Sequence, residues 1–405
     1  MASIEIRAVQ SDELDAMVAL MCEAFGLPFG PARELFLRDP YFDIQRKRVL
    51  LADGRIVSCL TLTDSRLRVG GAIVGVGGVA GLATAPAFRR RGYATRLLLG
   101  SLATLRAYGY GLTGLFPFRR AYYRRLGWEV ASTQLRAVLA AERLPAFAEA
   151  RHVRAALPSD RAALRTVHEE LTRGRTGACV RDDRRWAYVL DHSRSAVVYQ
   201  RGAALEGYAL FERTESEDPP PRLRVIELLA ASEDARRGLV GHLAERRDRM
   251  IEYTAGWAEL AGSGLLGPLD ADGETVEVRE AGGAMFRVVD LQTALRDLAP
   301  NLRGFRGIVT LCLHDAQAPP GAPSSVTLIG DGTDVSVERA DEADRVSGAR
   351  IEGEAGPWAA VLMGHLSLAD AMSLHRLHPI PHGAGAGLAP HFPRRDPFVS
   401  PPDYF

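Results

Sequence analysis

Residues 79–98, VAGLATAPAFRRRGYATRLL, join a glycine-rich strand to an apolar helix through three consecutive arginines. Glycine at this density in a strand is typical of a β-bulge or of a place where a ligand approaches closely. A strand that passes through such a loop into a helix brings together free backbone N–H groups and the positive end of the helix dipole. The pattern therefore predicts a binding site for a phosphate or pyrophosphate group.

Individual residues of this loop suit that prediction. Gly92 permits a tight turn beside a ligand, Ala94 keeps the first helical turn small, and guanidinium groups of Arg89–Arg91 can bind phosphate oxygens. The alternative is a solvated arginine-rich loop before an ordinary helix, because short glycine motifs often match by chance. The glycine-rich strand directly upstream is a second, independent feature, and it favours the phosphate site.

Composition limits the kinds of partner that the whole chain can have. Its 405 residues are 47% hydrophobic and 25% charged, enough for two or three domains. Lys plus Arg equals Asp plus Glu at 50 each, so the net charge favours neither nucleic acid nor an anionic membrane. Lys47 is the only lysine. We expect a small-molecule ligand rather than a highly charged partner.

Targeting and metal signals are weak. The N-terminus has no signal-peptide pattern, and no apolar run is long enough to span a membrane. The four cysteines are far apart, which is typical of a reducing compartment, and neither they nor the histidines form a metal-ligand pattern. We therefore expect a soluble cytoplasmic protein without a metal.

Helix and strand patterns divide the chain into three units, residues 1–140, 141–292 and 293–405. The first combines strands, mostly antiparallel, with the helix that follows the arginine loop. The third has short strands with turn residues between them and then helices, which predicts a smaller α+β domain.

The second unit repeats the order of the first: an apolar strand, a loop with arginines, a glycine and a helix. If Gly238 corresponds to Gly92, then Ala235 replaces Arg89 and Val240 replaces Ala94. This register removes the features that suit a phosphate, so the second unit is expected to be a degenerate structural copy.

The R-x-x-G-x-A pattern of Arg89–Ala94 resembles the acetyl-CoA pyrophosphate loop of GNAT acetyltransferases. Over the whole chain, this loop, the stretch AYYRRLGWE at 121–129 and the terminal phenylalanine resemble the Eis (enhanced intracellular survival) family. The resemblance implies an α/β (α+β) protein with tandem GNAT folds, the second degenerate, followed by a domain similar to sterol carrier proteins. It also implies a homo-oligomer, a hexamer.

The resemblance assigns site residues by position. Tyr123 matches the general acid that protonates the departing thiolate; outside the family context an aromatic residue here is usually a packing residue, and Tyr122 is the neighbouring alternative. The α-carboxylate of Phe405 matches the group that receives the proton of the amine, although such a tail taken alone would be a frayed terminus. The implied acetyl-CoA contacts are Leu82, Ala83, Thr84, Arg89, Arg90, Arg91, Gly92, Tyr93, Ala94, Thr95, Phe118 and Arg119.

The implied function is an acetyl-CoA-dependent N-acetyltransferase that acts on aminoglycosides or related polyamines by direct attack in a ternary complex. Two alternatives stay open: a non-catalytic protein that binds an apolar ligand in its third domain, and a protein lysine acetyltransferase.

The charged residues near the expected active site affect which acceptor can bind there. A polycationic acceptor needs carboxylates, and the candidates by position are Glu23, Asp39, Asp43 and Asp403. The arginines at 119, 120, 124 and 125 would suit such an acceptor poorly. The sequence therefore leaves the acceptor open.

Overall fold

The computed structural model describes residues 3–39, 41–190, 194–213, 222–246, 249–265, 276–340 and 348–404. The strands are β1 (Ile4–Ala8), β2 (Lys47–Ala52), β3 (Arg55–Val69), β4 (Ala72–Thr84), β5 (Leu112–Leu115), β6 (Glu129–Val130), β7 (Gln134–Ala140), β8 (Val153–Ala155), β9 (Arg194–Arg201), β10 (Ala204–Arg213), β11 (Arg222–Ala230), β12 (Met250–Ala255), β13 (Glu277–Gly282), β14 (Met285–Val288), β15 (Arg306–His314), β16 (Ser325–Asp331), β17 (Val335–Arg339), β18 (Arg350–Glu354) and β19 (Leu377–Ile380). The helices are α1 (Leu14–Phe25), α2 (Phe29–Leu37), α3 (Tyr93–Ala107), α4 (Arg120–Arg124), α5 (Arg161–Thr172), α6 (Asp183–Val189), α7 (Glu233–Ala244), α8 (Trp257–Gly262), α9 (Leu291–Asp297), α10 (Ala355–Leu362) and α11 (Leu368–Ser373).

These strands form three sheets. The first has the order β1-β2-β3-β4-β5-β14-β6, the second β13-β7-β12-β11-β10-β9-β8, and the third β17-β16-β15-β18-β19. The first two share one arrangement: β4 leads through α3 to the parallel strand β5, and β11 leads through α7 to the parallel strand β12. The expected internal duplication is therefore present.

The two duplicated units exchange strands. β14, near the end of the second unit, lies between β5 and β6 in the first sheet. β7, at the end of the first unit, lies between β13 and β12 in the second sheet. Both sheets are therefore completed by a strand from the other half of the chain, and we expect the two units to fold as a pair.

The third sheet shares a core with the first. Val74 and Leu112 of the first sheet, Phe286 of β14 and Trp358 of α10 belong to one continuous cluster of buried apolar side chains. Burial of this apolar surface stabilises the contact between the two sheets. The third domain is thus packed against the first rather than tethered to it.

The start of α7 in the second copy is unsuited to a phosphate for a different reason from the one predicted. Its helix α7 begins directly after Ser232, whose Oγ accepts a hydrogen bond from Ala235 N at 3.1 Å, and its first turn carries Glu233 and Asp234. Gly238 lies inside α7 against the Tyr199 ring. The alignment of Gly238 with Gly92 is therefore wrong, since Ser232 holds the capping position. A side-chain cap and two acidic residues disfavour an anion there.

Candidate active site

A β-bulge interrupts β4 before the arginine loop. Ala80 pairs with Thr61 and Ala83 pairs with Cys59, so Gly81 and Leu82 together oppose a single residue of β3. Gly81 has a φ of 60°, in the left-handed region that strains other residues. The bulge expected from the glycine-rich sequence is thus present, and glycine is required at its first position.

Beyond the bulge, β4 and β5 diverge. The two strands pair in parallel only from Val76 to Gly78, which face Leu112 to Gly114. Past this point, the edge of β4 that faces away from β3 has no strand partner among the residues that the structure describes. Backbone N–H groups on this edge are therefore available to a ligand in the cleft.

The arginine loop delivers the chain to α3 with an uncapped helix start. Arg90 and Gly92 have φ angles of 64° and 80°. The first helical bond runs from Arg96 N to Gly92 O at 3.0 Å, and neither a side-chain cap nor an acidic residue occupies the first turn. The N–H groups of the first turn thus have no intrahelical acceptor, which is the arrangement that binds a phosphate.

A pocket of about 470 Å³ opens between this helix start and the diverging strand. All the expected cofactor residues line it except Arg91, whose guanidinium lies 5.3 Å from the Phe88 ring, and Arg119, which precedes α4. Those that line it are Leu82, Ala83, Thr84, Arg89, Arg90, Gly92, Tyr93, Ala94, Thr95 and Phe118. We call this cavity the donor pocket, after the acetyl-CoA that the sequence resemblance implies.

The donor pocket has further walls that the sequence did not indicate. Ala24 and Phe25 at the end of α1, Phe88 and Tyr122 also line it. Phe25 is 51% exposed and Phe118 is 74% exposed, so two large aromatic rings at this pocket lack burial by the protein itself. Exposed aromatic groups at a cavity are typical of ligand contact surfaces.

The two adjacent tyrosines of α4 have different environments. The Tyr122 hydroxyl lies 3.0 Å from Thr95 Oγ1, and Tyr122 lines the donor pocket. Tyr123 is only 4% exposed, with its ring packed against Phe118, Tyr122 and Trp128. Burial raises the pKa of Tyr123 above its ordinary value. Tyr123 therefore stays protonated at neutral pH, and unlike Tyr122 it is not among the residues that line the donor pocket.

A second pocket of about 510 Å³ begins where the donor pocket ends. Ala80 and Gly81 of the bulge line it, whereas the next residues of β4, Leu82 to Thr84, line the donor pocket. The two cavities therefore adjoin at the bulge. We call the second cavity the acceptor pocket, after the acceptor amine that the sequence resemblance implies.

The carboxylates predicted for an acceptor fall in different places. Asp39 and Asp43 line the acceptor pocket, together with Asp64, which the sequence did not single out. Glu23 is exposed on α1 and does not belong to this lining, and Asp403 is buried in a separate cluster. Position along the chain was a poor guide, because the pocket combines α2, the segment before β2, β3 and α6.

The C-terminal tail docks along both duplicated units. Pro397 O accepts a hydrogen bond from Thr133 N at 2.9 Å, and Phe398 N donates to Thr176 O at 3.0 Å. Tyr404 lines the acceptor pocket, with its ring 4.0 Å from the Phe116 ring and its hydroxyl hydrogen-bonded to the Gln134 side chain. Phe405 lies outside the described residues. Residues 397–404 are thus docked, as the resemblance implies, and the alternative of a frayed terminus does not hold for 401–404.

A buried ion cluster fixes this tail in the cleft of the second unit. Arg181, with a fully buried side chain, donates to Glu227 and to Asp403, at 2.7 Å in each case. The Tyr208 hydroxyl donates to Glu227 at 2.7 Å, and Ser400 Oγ lies 3.1 Å from the same carboxylate. A cavity of only about 30 Å³ is left there. In the second unit the tail therefore fills the cleft, whereas the first unit keeps an open pocket.

The same cluster contains the donor atoms of a possible metal site. Single ligand atoms of His168, Glu227 and Asp403 lie within 4.8 Å of one another. The Arg181 guanidinium already supplies the positive charge that the two carboxylates need, and burial together with that charge lowers the pKa of His168 to about 4. We therefore interpret the group as an ion-pair cluster.

We expect acid to destabilise the protein through His168. In the unfolded chain this histidine takes up a proton near pH 6.5, whereas in the folded chain it does so only near pH 4. Below pH 6.5 the unfolded state binds the extra proton, so the free energy of unfolding should fall by about 2 kcal/mol between pH 7 and pH 5. Urea titrations at both pH values measure this difference, and His168→Gln should reduce it; an equal fall in the variant would contradict the assignment.

Comparison with known proteins gives these two units a family. Residues 5–131 match a model described as an acetyltransferase (GNAT) domain, and residues 177–284 match a second model with the same description. The chain carries two GNAT acetyltransferase domains. The donor pocket lies in the first of them. Among the described residues, no helix is both long and apolar enough to span a membrane.

A curated relative matches about half of the chain. An uncharacterized N-acetyltransferase of Streptomyces coelicolor is 31% identical over 228 residues, which are 52% of this chain and 55% of that protein. The match thus spans about half the length of this relative. Acetyltransferase is the description common to this relative and to both domain models, as expected from the sequence.

Solved structures share the complete architecture. GCN5-related N-acetyltransferases from Kribbella flavida and Anabaena variabilis superpose with TM-scores of 0.78 and 0.81 at 21% and 14% identity, covering 100% of this chain and 99% and 100% of theirs. Eis1 from Mycobacterium abscessus has a TM-score of 0.67 at 18% identity, with both chains covered to 100%. These similarities confirm the tandem GNAT fold. Membership of the Eis family and the sterol-carrier resemblance stay predictions.

Proposed function

We propose that this chain is an acetyl-CoA-dependent N-acetyltransferase that transfers the acetyl group directly to an amine in a ternary complex. One observation carries the proposal: the donor and acceptor pockets adjoin at the β4 bulge. An acetyl thioester held on one side would meet an amine held on the other, and such positioning supplies much of the rate of a two-substrate reaction.

The residues of the donor pocket suit acetyl-CoA. The uncapped start of α3 would bind the pyrophosphate together with the guanidinium groups of Arg89 and Arg90. The free edge of β4 from Leu82 to Thr84 offers backbone groups to the pantetheine arm and to the thioester oxygen. When bound, acetyl-CoA supplies the activated acetyl group.

The chemistry then requires two proton transfers. The amine nitrogen forms a bond to the thioester carbon while the carbon–sulfur bond breaks. Tyr123 donates its phenolic proton to the departing sulfur, and a base takes a proton from the amine. We assign the base to the α-carboxylate of Phe405, and the docking of Tyr404 in the acceptor pocket supports this assignment.

Acetyl-CoA should raise the melting temperature, and Arg89→Ala should remove most of that effect. Arg89 is exposed at the donor pocket, so its loss should weaken cofactor binding without disturbing the core. Thermal shift measurements over a range of acetyl-CoA concentrations report the change, with Arg303→Ala, an exposed arginine of the third domain, as control. Full protection in Arg89→Ala would exclude Arg89 from the cofactor contacts.

Deletion of Phe405 should reduce turnover while acetyl-CoA affinity stays nearly unchanged. The deletion moves the terminal carboxylate to Tyr404 and shortens the tail by one residue. Steady-state rates and acetyl-CoA titrations of the same preparation separate the two effects. Wild-type turnover in the shortened chain would remove the terminal carboxylate from the mechanism.

The acceptor implied by the resemblance is an aminoglycoside or a polyamine. The carboxylates of Asp39, Asp43 and Asp64 would suit such a molecule, whereas the buried cations of the same pocket favour another class, argued below. The hexamer and the cytoplasmic location also stay predictions, and light scattering of the purified chain tests the first of them.

A further inference from the structure

A buried arginine of the acceptor pocket forms no ion pair with a carboxylate among the described residues. Arg185, in the first half of α6, is 8% exposed and lines this pocket. Its guanidinium lies 5.0 Å from the centre of the Tyr41 ring. Within the described part of the chain, it makes neither an ion pair nor a side-chain hydrogen bond. Buried arginines stay charged and are normally paired, so this one is poised for a ligand.

The neighbouring carboxylate of Asp182 does not form an ion pair with the Arg185 guanidinium. Its Oδ1 accepts hydrogen bonds from the Tyr41 hydroxyl and from the backbone N–H of Arg185. Asp182 is exposed and acts on the guanidinium only at longer range. The side chain of Arg185 is thus held against Tyr41 with its donors available to the pocket.

Lys47 is a second buried cation of the acceptor pocket. It is 2% exposed, and its Nζ lies 4.3 Å from the centre of the Phe36 ring and 5.2 Å from that of Phe42. The Asp39 carboxylate is 3.9 Å away, too far for a hydrogen bond. Burial lowers the pKa of Lys47. Aromatic faces compensate part of this charge, and the Asp39 carboxylate is too distant to neutralise the rest through a hydrogen bond.

The acidic residues of the pocket lie at its solvated edge. The side chains of Asp39 and Asp43 are 35% and 45% exposed, and Asp64 is exposed as well. Asp39 accepts from Tyr41 N and Asp43 accepts from Gln45 N, each at 2.9 Å. Carboxylates in water attract a ligand charge far less than buried cations do. The sign of the charge in the inner part of the pocket is therefore set by Lys47 and Arg185.

The remaining walls are mostly apolar. A body of about 510 Å³ fits inside, which is in the range of small-molecule sites. Its apolar and aromatic lining consists of Met21, Leu27, Leu35, Phe36, Phe42, Tyr188 and Tyr404. Such walls favour an apolar or aromatic body over the hydroxyl-rich surface of a sugar.

We propose that the acceptor is an amine whose apolar body also carries a carboxylate, as in an apolar amino acid, and that Arg185 binds this carboxylate. This inference rests on the acetyltransferase function proposed above. A guanidinium binds a carboxylate through two parallel hydrogen bonds, which fixes orientation as well as charge. The amine then points towards Ala80 and Gly81, where the donor pocket begins. A polyamine or aminoglycoside would instead bring like charges against Lys47 and Arg185.

Pairs of acceptors with and without a carboxylate test the proposed charge of the acceptor directly. Thiol release from acetyl-CoA and product mass are measured for phenylalanine, leucine and methionine, for the three corresponding amides, and for spermidine and kanamycin. We expect kcat/KM for the best amino acid to exceed that for its amide by about tenfold or more, because a charge-assisted hydrogen bond is lost in the amide. Faster acetylation of the amides, of spermidine or of kanamycin would overturn the proposal. Failure to acetylate any amino acid would also overturn it.

Variants of Arg185 test whether this residue binds the carboxylate of the acceptor. In Arg185→Met and Arg185→Gln, kcat/KM for the amino acid should fall to the value for its amide, while the amide itself is little affected. Arg173→Met serves as control, because Arg173 is an exposed arginine directly after helix α5. An unchanged preference in well-folded Arg185 variants would overturn the role of Arg185. Acetyl-CoA protection against thermal unfolding is measured in parallel, and its absence in the wild type would instead refute the acetyltransferase function.

Discussion

Tyr123→Phe should lower kcat by about 10²–10⁴-fold, the usual contribution of a general acid, with acetyl-CoA affinity nearly unchanged. The substitution removes only the hydroxyl, and the packing of this ring against Phe118 and Trp128 is kept. Stopped-flow or steady-state thiol release measures the rate, and thermal shift with acetyl-CoA measures binding. A loss of less than about fivefold would exclude Tyr123 as the acid.

Tyr122→Phe is the matched control for this substitution. Its hydroxyl contacts Thr95 at the donor pocket, so its loss should weaken acetyl-CoA binding more than it lowers kcat. The pH profile gives a second test of Tyr123. Because burial raises the pKa of Tyr123, the acid stays protonated beyond the ordinary tyrosine pKa of about 10, and kcat should not fall through its ionisation below that pH. An opposite result for the two variants would reassign the acid to Tyr122.

Arg181→Met should lower the free energy of unfolding by about 3–5 kcal/mol, the usual cost of breaking a buried ion pair. The change leaves Glu227 and Asp403 buried side by side without a cation. In the native protein the Arg181 guanidinium overrides the effect of burial and holds the pKa of Glu227 below its usual value. Urea denaturation of the full chain measures the loss.

A triple variant separates lost charge balance from lost packing. Adding Glu227→Gln and Asp403→Asn to Arg181→Met removes both uncompensated charges, so most of the lost stability should return. If the triple variant were as unstable as Arg181→Met alone, the side-chain volume of Arg181 rather than its charge would hold the tail.

Local signals in the sequence predicted the bulge and the helix start that form the donor pocket, but not its walls from Ala24, Phe25 and Tyr122. The glycine-rich strand predicted the bulge at Gly81, and the arginine loop predicted the uncapped start of α3, because both depend on a few consecutive residues. The same reasoning failed at Gly238, since a glycine that relieves crowding inside a helix looks in sequence like one that begins it.

The acceptor pocket and the strand exchange depend on distant contacts. Alternation of apolar residues identifies β7 and β14 as strands, but it is the same whichever sheet they join. Lys47 and Arg185 are far apart in the chain and line one pocket only because α6 of the second unit faces β2 and α2 of the first. Hydrophobic periodicity does not predict which distant residues come together in space, so this pair of cations could be recognised only in the structure.

The most direct test of the central claim is the mass of the product formed when the purified chain is incubated with acetyl-CoA and the amine panel. The account predicts stoichiometric release of CoA thiol, one acetyl group on the amine nitrogen, and loss of both signals in Tyr123→Phe. Thermal protection by acetyl-CoA without an acetylated product from any amine would contradict it, because the first GNAT domain would then bind the cofactor without transferring the acetyl group.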